Sequence, residues 1–486
     1  MKKLLLVTLA GGVLILAQGF RSQSDEWEKA FGQIDTEVKK HSKAYETLGE
    51  ATRQIGHRLT GSTNGMKAEE YTYKLLKKYG FKDVQFQPFE VESWSRDTVT
   101  LSIVPSSSDN FREIPVVSLA HSPVFASLKL PIVDVGNGLE EDFEAIKDKL
   151  KGKVALANIG LVGVTGKKNL HRSEKTALAI KYGASGIIMV NQAPGRILLT
   201  GTASVTGALI DIPAVCISND SGKELRSWMK EEGPLEAHID MRNFSRKIRA
   251  RNVVATLKGK SDERIIVGGH LDSWDLATGA IDNGIGSFSV LDIARTFKAL
   301  KIKPERTIQF VMFMGEEQGL LGSRHMVKEL VRTGEIDKVH YMMNLDMTND
   351  PKGANGFGRK DMDEFFQSVG ASIQQVDPSF ENKYANRAGL HSDHQPFMLE
   401  GVPVAGLSGS LTPAVLQCYH ADCDRFELVN KQQLENTVRI GSMYLYALSN
   451  AKKLPTKRLN STQTRDFMVD QGLKQELVLG QDWRWE

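Results

Sequence analysis

"GGHLDSWDLATGAIDNGIG", Gly268 to Gly286, sets one histidine and three aspartates directly behind an apolar run. His270, Asp272, Asp275 and Asp282 therefore stand at the mouth of what otherwise reads as buried core. Each is costly to bury unless it is paired or bound to a metal. The run before them, "RIIVGG" (Arg264–Gly269), reads as a strand, which puts the polar groups at its carboxyl end.

Working outward, the same pattern recurs. "RTIQFVMFMG" (Arg306–Gly315) reads as a long buried strand and ends at Glu316 and Glu317, and "HYMMNL" (His340–Leu345) ends at Asp346. "VPVAGL" (Val402–Leu407) is a further strand. Between them, Gly284–Leu300 carries Phe288, Leu291, Ala294 and Phe297 near helical spacing, and Leu321–Arg332 is a second helix. Strands alternating with helices predict an α/β fold: a mixed, mostly parallel sheet with helices on both faces. In such sheets ligands gather at the carboxyl ends of the strands. His270, Asp272, Glu316, Glu317 and Asp346 are thus expected to converge, joined by Asp282 and by His420 of "CYHADCD".

That many carboxylates cannot share a crevice as bare anions, because like charges at contact raise each other's pKa steeply. Cations resolve the conflict. Two imidazoles with oxygen donors suit zinc, and open coordination positions make such a site catalytic. Taken singly, an H-x-D at a strand end or a Glu-Glu pair has an ordinary structural explanation. Their joint placement after successive apolar strands carries the expectation of a metal.

Upstream, Ser24 to Glu90 reads as helical, with Glu69–Phe81 an amphipathic helix stopped by Gly80 and preceded by the loop "GHRLTGS" (Gly56–Ser62). From about Thr98 the texture turns to short β-like runs, "TVTLSIV", "PIVDV", "KVALANI", "GIIMV" and "IPAVCIS", with helical stretches at Glu174–Tyr182 and Lys223–Lys230. This predicts a smaller β-rich inserted domain, after which "RNVVATLKG" (Arg251–Gly259) resumes the first one. Beyond Pro455 the polar tail carries little signal. The expected division is a signal peptide at 1–19, a first part of the main domain at 20–110, an insert at 111–245, the rest of the main domain at 246–455, and a tail at 456–486.

The 486 residues exceed one ordinary core, and a composition of 41% hydrophobic and 25% charged residues is that of a globular protein. Net charge is only +3, and no basic block of the kind that tracks phosphate backbones is present, so nucleic acid is not an expected partner. "MKKLLLVTLAGGVLILAQG" joins a positive start to an apolar run and small residues at Ala17 and Gly19, the pattern of a secretory signal. The run is short for a membrane span. The expectation is an exported protein, periplasmic or extracellular, with no stable membrane insertion after signal removal.

Together, "HLDSWD…GAIDNGIG", "MFMGEEQGLLGS", "NLDM", "HSDHQPF…GVP" and "CYHADCD" resemble the co-catalytic zinc exopeptidases, a family of secreted aminopeptidases and plasma glutamate carboxypeptidases. "GGHLDSWD" and "GHRLTGS" resemble the carboxypeptidase Q branch most, and "GKVALANIG", "GASGIIMVNQ" and "IPAVCIS" are similar to a protease-associated domain. The resemblance covers roughly residues 45–450. It implies two zinc ions per chain: His270 and Asp346 on one, Glu317 and His420 on the other, Asp282 bridging both. It also implies Glu316 as general base, Asp272 as the partner of the far nitrogen of His270, and a cis peptide after Asp282. A zinc pair brings the pKa of a shared water near neutrality, and a free carboxylate beside it can take the proton. Asp393 and His394 match a segment that lines the site in this family. Tyr419 either polarises the scissile carbonyl or packs, and Asp275 shapes the loop.

The implied activity is hydrolysis of dipeptides or of the terminal residue of short peptides, with the insert over the mouth of the site; a homodimer is compatible with the sequence. Two other readings exist: a single-zinc glutaminyl cyclase-like enzyme, and a non-catalytic receptor or binding module of the same fold. The full donor set and Glu316 disfavour both. In an oxidising compartment Cys418 and Cys423, which bracket His420, are expected to be disulfide-bonded; with the five donor positions filled, zinc ligation leaves them no role. Cys216, in an apolar run, is expected to be free.

Overall fold

The structure, a computed structural model, describes residues 26–105 and 111–486; the expected signal segment at 1–19 lies outside the described residues. Residues 26–41 form α1, because Trp27, Phe31, Ile34 and Val38 share one face and bury it. Next come α2 (Ala44–Gln54) and α3 (Thr63–Lys78). Ser62 starts α3 by accepting the amide of Gly65 at 2.9 Å.

The chain then builds β1 (Asp83–Glu92) and crosses into a second sheet. Its elements are β2 (Ser95–Pro105), β3 (Arg112–Glu113), β4 (Val116–Ser118), β5 (Phe125–Gly136), α4 (Glu140–Leu150), β6 (Val154–Asn158), α5 (Arg172–Lys181), β7 (Gly186–Val190), β8 (Ala214–Ile217), α6 (Asn219–Glu231) and β9 (Leu235–Phe244). These strands lie in the order β3-β2-β9-β5-β6-β7-β8-β4. Parallel pairing runs from β5 through β8, and β6, β7 and β8 are buried along their whole length.

The return to the first sheet is through β10 (Lys247–Leu257), followed by β11 (Ser261–His270), α7 (Ile285–Ala299), β12 (Arg306–Phe313), α8 (Leu321–Arg332), β13 (Val339–Asn344), β14 (Gly353–Asn355), α9 (Asp363–Val376), α10 (His394–Leu399), β15 (Val404–Ser408), α11 (Pro413–Leu416), α12 (Lys431–Asn450), α13 (Ser461–Asp470) and α14 (Lys474–Leu479). The order is β1-β10-β12-β11-β13-β15-β14. The four inner strands β12, β11, β13 and β15 are parallel, and the flanking pairs are antiparallel. Alternation along β11 serves both faces: Ile265 and Val267 pack with Phe288 and Leu291 of α7 and Leu445 of α12, while Ile266 packs with Met326 of α8 and Phe397 of α10. The fold is the expected mixed α/β sheet covered on both faces, with a second unit beside it, but it is parallel only at its centre: β1, β10 and β14 pair antiparallel, so the sheet is not mostly parallel.

Three further expectations need correction. Residues 83–92 are a strand, not helix: "DVQFQPFEVE" pairs antiparallel with β10 at the sheet edge, where Pro88 is tolerated. The second sheet begins at Ser95, not near 111, because β2 pairs along its length with β9. The tail from 456 is not featureless: α13 and α14 bury Met468, Leu473 and Leu477 against the first sheet's outer layer. Among the described residues, no helix is long and apolar enough to cross a membrane.

Candidate active site

The parallel strands deliver the charged residues to one edge of the first sheet. His270 closes β11, Glu316 and Glu317 follow β12 after a turn at Gly315, and Asp346 follows β13. Asp282 comes from a wound segment, Ala280–Gly284, that leads into α7; the Asp282–Asn283 peptide is cis. His420 arrives from the far side on the loop after α11, with left-handed φ of 55°.

All five donors meet around Asp282. Its Oδ1 lies 3.2 Å from His270 Nε2 and its Oδ2 lies 3.0 Å from His420 Nε2. Asp346 Oδ1 is 3.4 Å from His270 Nε2, and Glu317 Oε2 is 3.0 Å from His420 Nε2. One carboxylate thus faces two imidazoles, each of which also faces a carboxylate of its own. Glu316 stands beside this group, its Oε2 3.9 Å from His270 Nε2. All six line a crevice of about 410 Å³.

Four carboxylates and two imidazoles packed this closely perturb one another's protonation strongly. Burial, joined by Asp346, Glu317 and Asp393, drives the Glu316 carboxyl well above the ordinary range, against the pull of His270. Burial, together with the Asp282 charge, also raises Glu317, whose Oε1 is buried without a hydrogen-bond partner. Burial resists protonation of His270, yet Glu316 and Asp346 hold its pKa well above the usual imidazole range. A donor set of imidazole nitrogens and carboxylate oxygens at mutual spacings of 3.0–3.4 Å fits zinc-class ions.

Most of the donors have a support, and most of these supports were silent in the sequence. Asp424 accepts the amides of Ile281 at 2.7 Å and Asp282 at 3.0 Å. Ser392 donates to Asp346 Oδ2 at 2.6 Å and itself accepts from Asn344 at 2.7 Å. His420 Nδ1 faces the Thr200 carbonyl at 3.3 Å, and the Thr200 amide donates to the His420 carbonyl at 3.0 Å. Arg58 of "GHRLTGS" is fully buried and donates to the carbonyls of Leu271, Thr278 and Gly279, so it holds the loop that carries Asp282.

The remaining expected residues fall as follows. His270 Nδ1 meets the main-chain carbonyl of Asp272 at 3.1 Å; the Asp272 carboxylate is 3.6 Å away and instead accepts the Glu316 amide at 3.3 Å. Asp272 therefore supports Glu316 as much as His270. Tyr419 stacks on the His420 ring with centroids 3.9 Å apart and lines the crevice. His394 lines it too, held by the Gly389 carbonyl at 3.0 Å, and burial pushes its imidazole down to about 4. Asp393 is fully buried and is not among the lining residues; burial pushes its carboxyl up to about 7. Asp275 takes a two-pronged bond from Arg96 of β2, both contacts at 2.7 Å, which ties the site's loop to the second sheet. Cys418 and Cys423 form a disulfide around His420, and Cys216 is a buried free thiol.

Residues 252–445 match the family model for Peptidase family M28, and residues 124–225 match that for the PA domain. Aminopeptidase YwaD of Bacillus subtilis is 26% identical, over 97% of this chain and all of that protein. Carboxypeptidase Q of Xenopus laevis is 24% identical, over 84% of this chain and 90% of that one. The crystal structure of a peptidase M28 precursor from Shewanella amazonensis superimposes with a TM-score of 0.74 at 25% identity, covering 88% of this chain and 98% of that one. The first match spans the strands and loops that bring the donors together, and the second lies within the second sheet. The chain thus carries a peptidase family M28 region, residues 252–445, with a PA domain, residues 124–225, inserted ahead of it in the same fold.

Proposed function

We propose that this chain is an exported di-zinc exopeptidase that removes a terminal residue from short peptides or splits dipeptides. The observation that carries the reading is the Asp282 carboxylate, with its two oxygens directed at two different histidines, 3.2 and 3.0 Å away. His270, Asp346 and Asp282 would hold one ion, and His420, Glu317 and Asp282 the other. Zinc bound there supplies a Lewis acid for the scissile carbonyl and brings the pKa of a shared water near neutrality.

Glu316 is the carboxylate of the group that stands farthest from a histidine, 3.9 Å from His270 Nε2. It takes the proton of the attacking water and returns it to the leaving nitrogen. Asp272 holds the Glu316 main chain through its amide, which keeps the carboxylate aimed. Tyr419 and His394 stand on the lining, where they meet substrate. Substrate length is set by the walls: His171, Arg172, Thr202 and Ser204 from the second sheet's unit, and Glu476 and Asp482 from the tail, close over the crevice. Walls on these sides favour short peptides over folded chains. Export rests on the signal-like start of the sequence, and short peptides are the proposed partners.

The test joins a count to a substrate profile. Elemental analysis of the zinc-loaded enzyme is expected to show two ions in the Asp282 centre, as the difference between the parent and Asp282→Ala. Hydrolysis is expected for dipeptides and not for casein. Efficient internal cleavage of casein overturns the exopeptidase reading, and a difference of one ion overturns the paired centre.

A further inference from the structure

A second set of donors opens onto the same crevice, built from residues other than those around Asp282. Glu174 in the first turn of α5, His391 before α10 and Glu476 in α14 bring one donor atom each within 4.8 Å of one another. His391 Nε2 lies 3.4 Å from Glu174 Oε1 and 3.9 Å from Glu476 Oε2. We propose that these three residues hold a further divalent cation of the zinc class, which fastens the inserted unit and the C-terminal helix to the rim of the crevice.

Three observations support it. The first is spacing: ligands of one tetrahedral zinc, at bonds of about 2.0–2.2 Å, stand about 3.3–3.5 Å apart. The Asp282 group spans 3.0–3.4 Å; the His391–Glu174 pair matches it at 3.4 Å, and Glu476 stands farther off at 3.9 Å.

The second is an orphaned charge. Glu174 is 1% exposed, and its Oε1 has no hydrogen-bond partner. Its other oxygen is taken by the His171 amide at 2.8 Å, which caps α5. A buried carboxylate oxygen aimed at a cavity and left unpaired is costly. Lys168 forms an ion pair with Glu476 on its outer oxygen, which leaves Oε2 turned toward His391.

The third is preorganisation. The His391 ring stacks on His171 with centroids 4.7 Å apart and planes 21° from parallel, and its amide donates to Gln395 at 2.8 Å. Nitrogen and carboxylate donors, three in number, suit zinc and its neighbours; calcium and magnesium want six or more oxygens.

Zinc alone is the probe. The full-length chain and the variants Glu174→Gln, His391→Ala and Glu476→Gln are loaded with zinc, freed of excess and analysed for metal per chain. Zinc-edge anomalous diffraction of the parent locates the ions. Each variant is expected to carry one zinc fewer than the parent, with an anomalous peak between Glu174, His391 and Glu476. Because Glu174 also caps α5, the decisive variant is His391→Ala, at a side chain 41% exposed. Equal zinc in the parent and His391→Ala, with no peak at this position, overturns the proposal. So does an unchanged count joined to a raised KM only for peptides with a free amino terminus, which would make the cluster a subsite for the substrate's ammonium group. The count is a difference, so it stays readable whatever number of ions the Asp282 centre holds; His420→Ala lowers the total without altering it.

Discussion

Two adjacent glutamates, Glu316 and Glu317, illustrate how little separates a ligand from a base. Both leave β12 through the same turn, yet Glu317 reaches His420 at 3.0 Å while Glu316 stands 3.9 Å from His270. Glu316→Gln is therefore expected to keep the zinc content of the parent while kcat falls by about 10²–10⁴, the contribution usual for a general base. Glu317→Gln is expected to lose metal and activity together. Metal analysis beside steady-state kinetics separates the two, and a Glu316→Gln enzyme with most of its turnover refutes the assignment. The five donors were legible in the sequence because they end apolar strands or sit in a marked motif. Ser392, Thr200 and Asp424 were not, because each acts through a fold-dependent contact; Thr200 and His420 are 220 positions apart.

At the scale of elements, β1 shows where periodicity misleads. Val84 buries on one parity and Phe89 and Val91 on the other, with Pro88 between, so neither a clean alternation nor a helical stripe stands out. Pairing with β10 decides the matter, and a partner strand is not visible in the local pattern. The segment between β4 and β5 carries a titration of its own. His121 is fully buried, its Nδ1 bonds Thr202 Oγ1 at 2.8 Å, and burial pushes its imidazole down to about 4. The folded chain holds it neutral, whereas the unfolded chain takes up a proton near pH 6.5. Stability from this group is therefore present above that pH and lost as pH falls toward 4, by about 2 kcal/mol between pH 7 and 5. Urea titrations at the two pH values measure it. His121→Asn is expected to shrink the pH dependence by that amount, and an equal dependence in both proteins counts against the buried neutral form.

For the whole molecule, the crevice is a joint product of two sheets and a tail. Glu476, Leu477, Gly480 and Asp482 all line it, while Leu473 and Leu477 are 1% exposed. Deleting residues 471–486 is expected to remove two buried leucines, worth about 1.5–3 kcal/mol each, and to open one wall. A lowered Tm should accompany a shift in kcat/KM from dipeptides toward pentapeptides. If the preference for length stays as in the parent, the tail is a brace and not a wall. The division into a peptidase region and an insert was readable from the change of texture near Thr98. Its true edge at Ser95 was not, because β2 is half exposed and declares its sheet only through β9.

Main-chain pairing of Leu199 with Ala421 and of Thr200 with His420 means that one unit supplies backbone to the histidine loop of the other. Ancestry and engineering inherit that bond. A gene fusion that exchanges the PA domain for a homologue's also exchanges the ledge on which His420 rests, and is expected to succeed only when the stretch around Leu199–Thr202 stays with its native loop. The two stretches are expected to drift as a pair, so that a change accommodated by one partner stretch becomes a lesion when transplanted beside another.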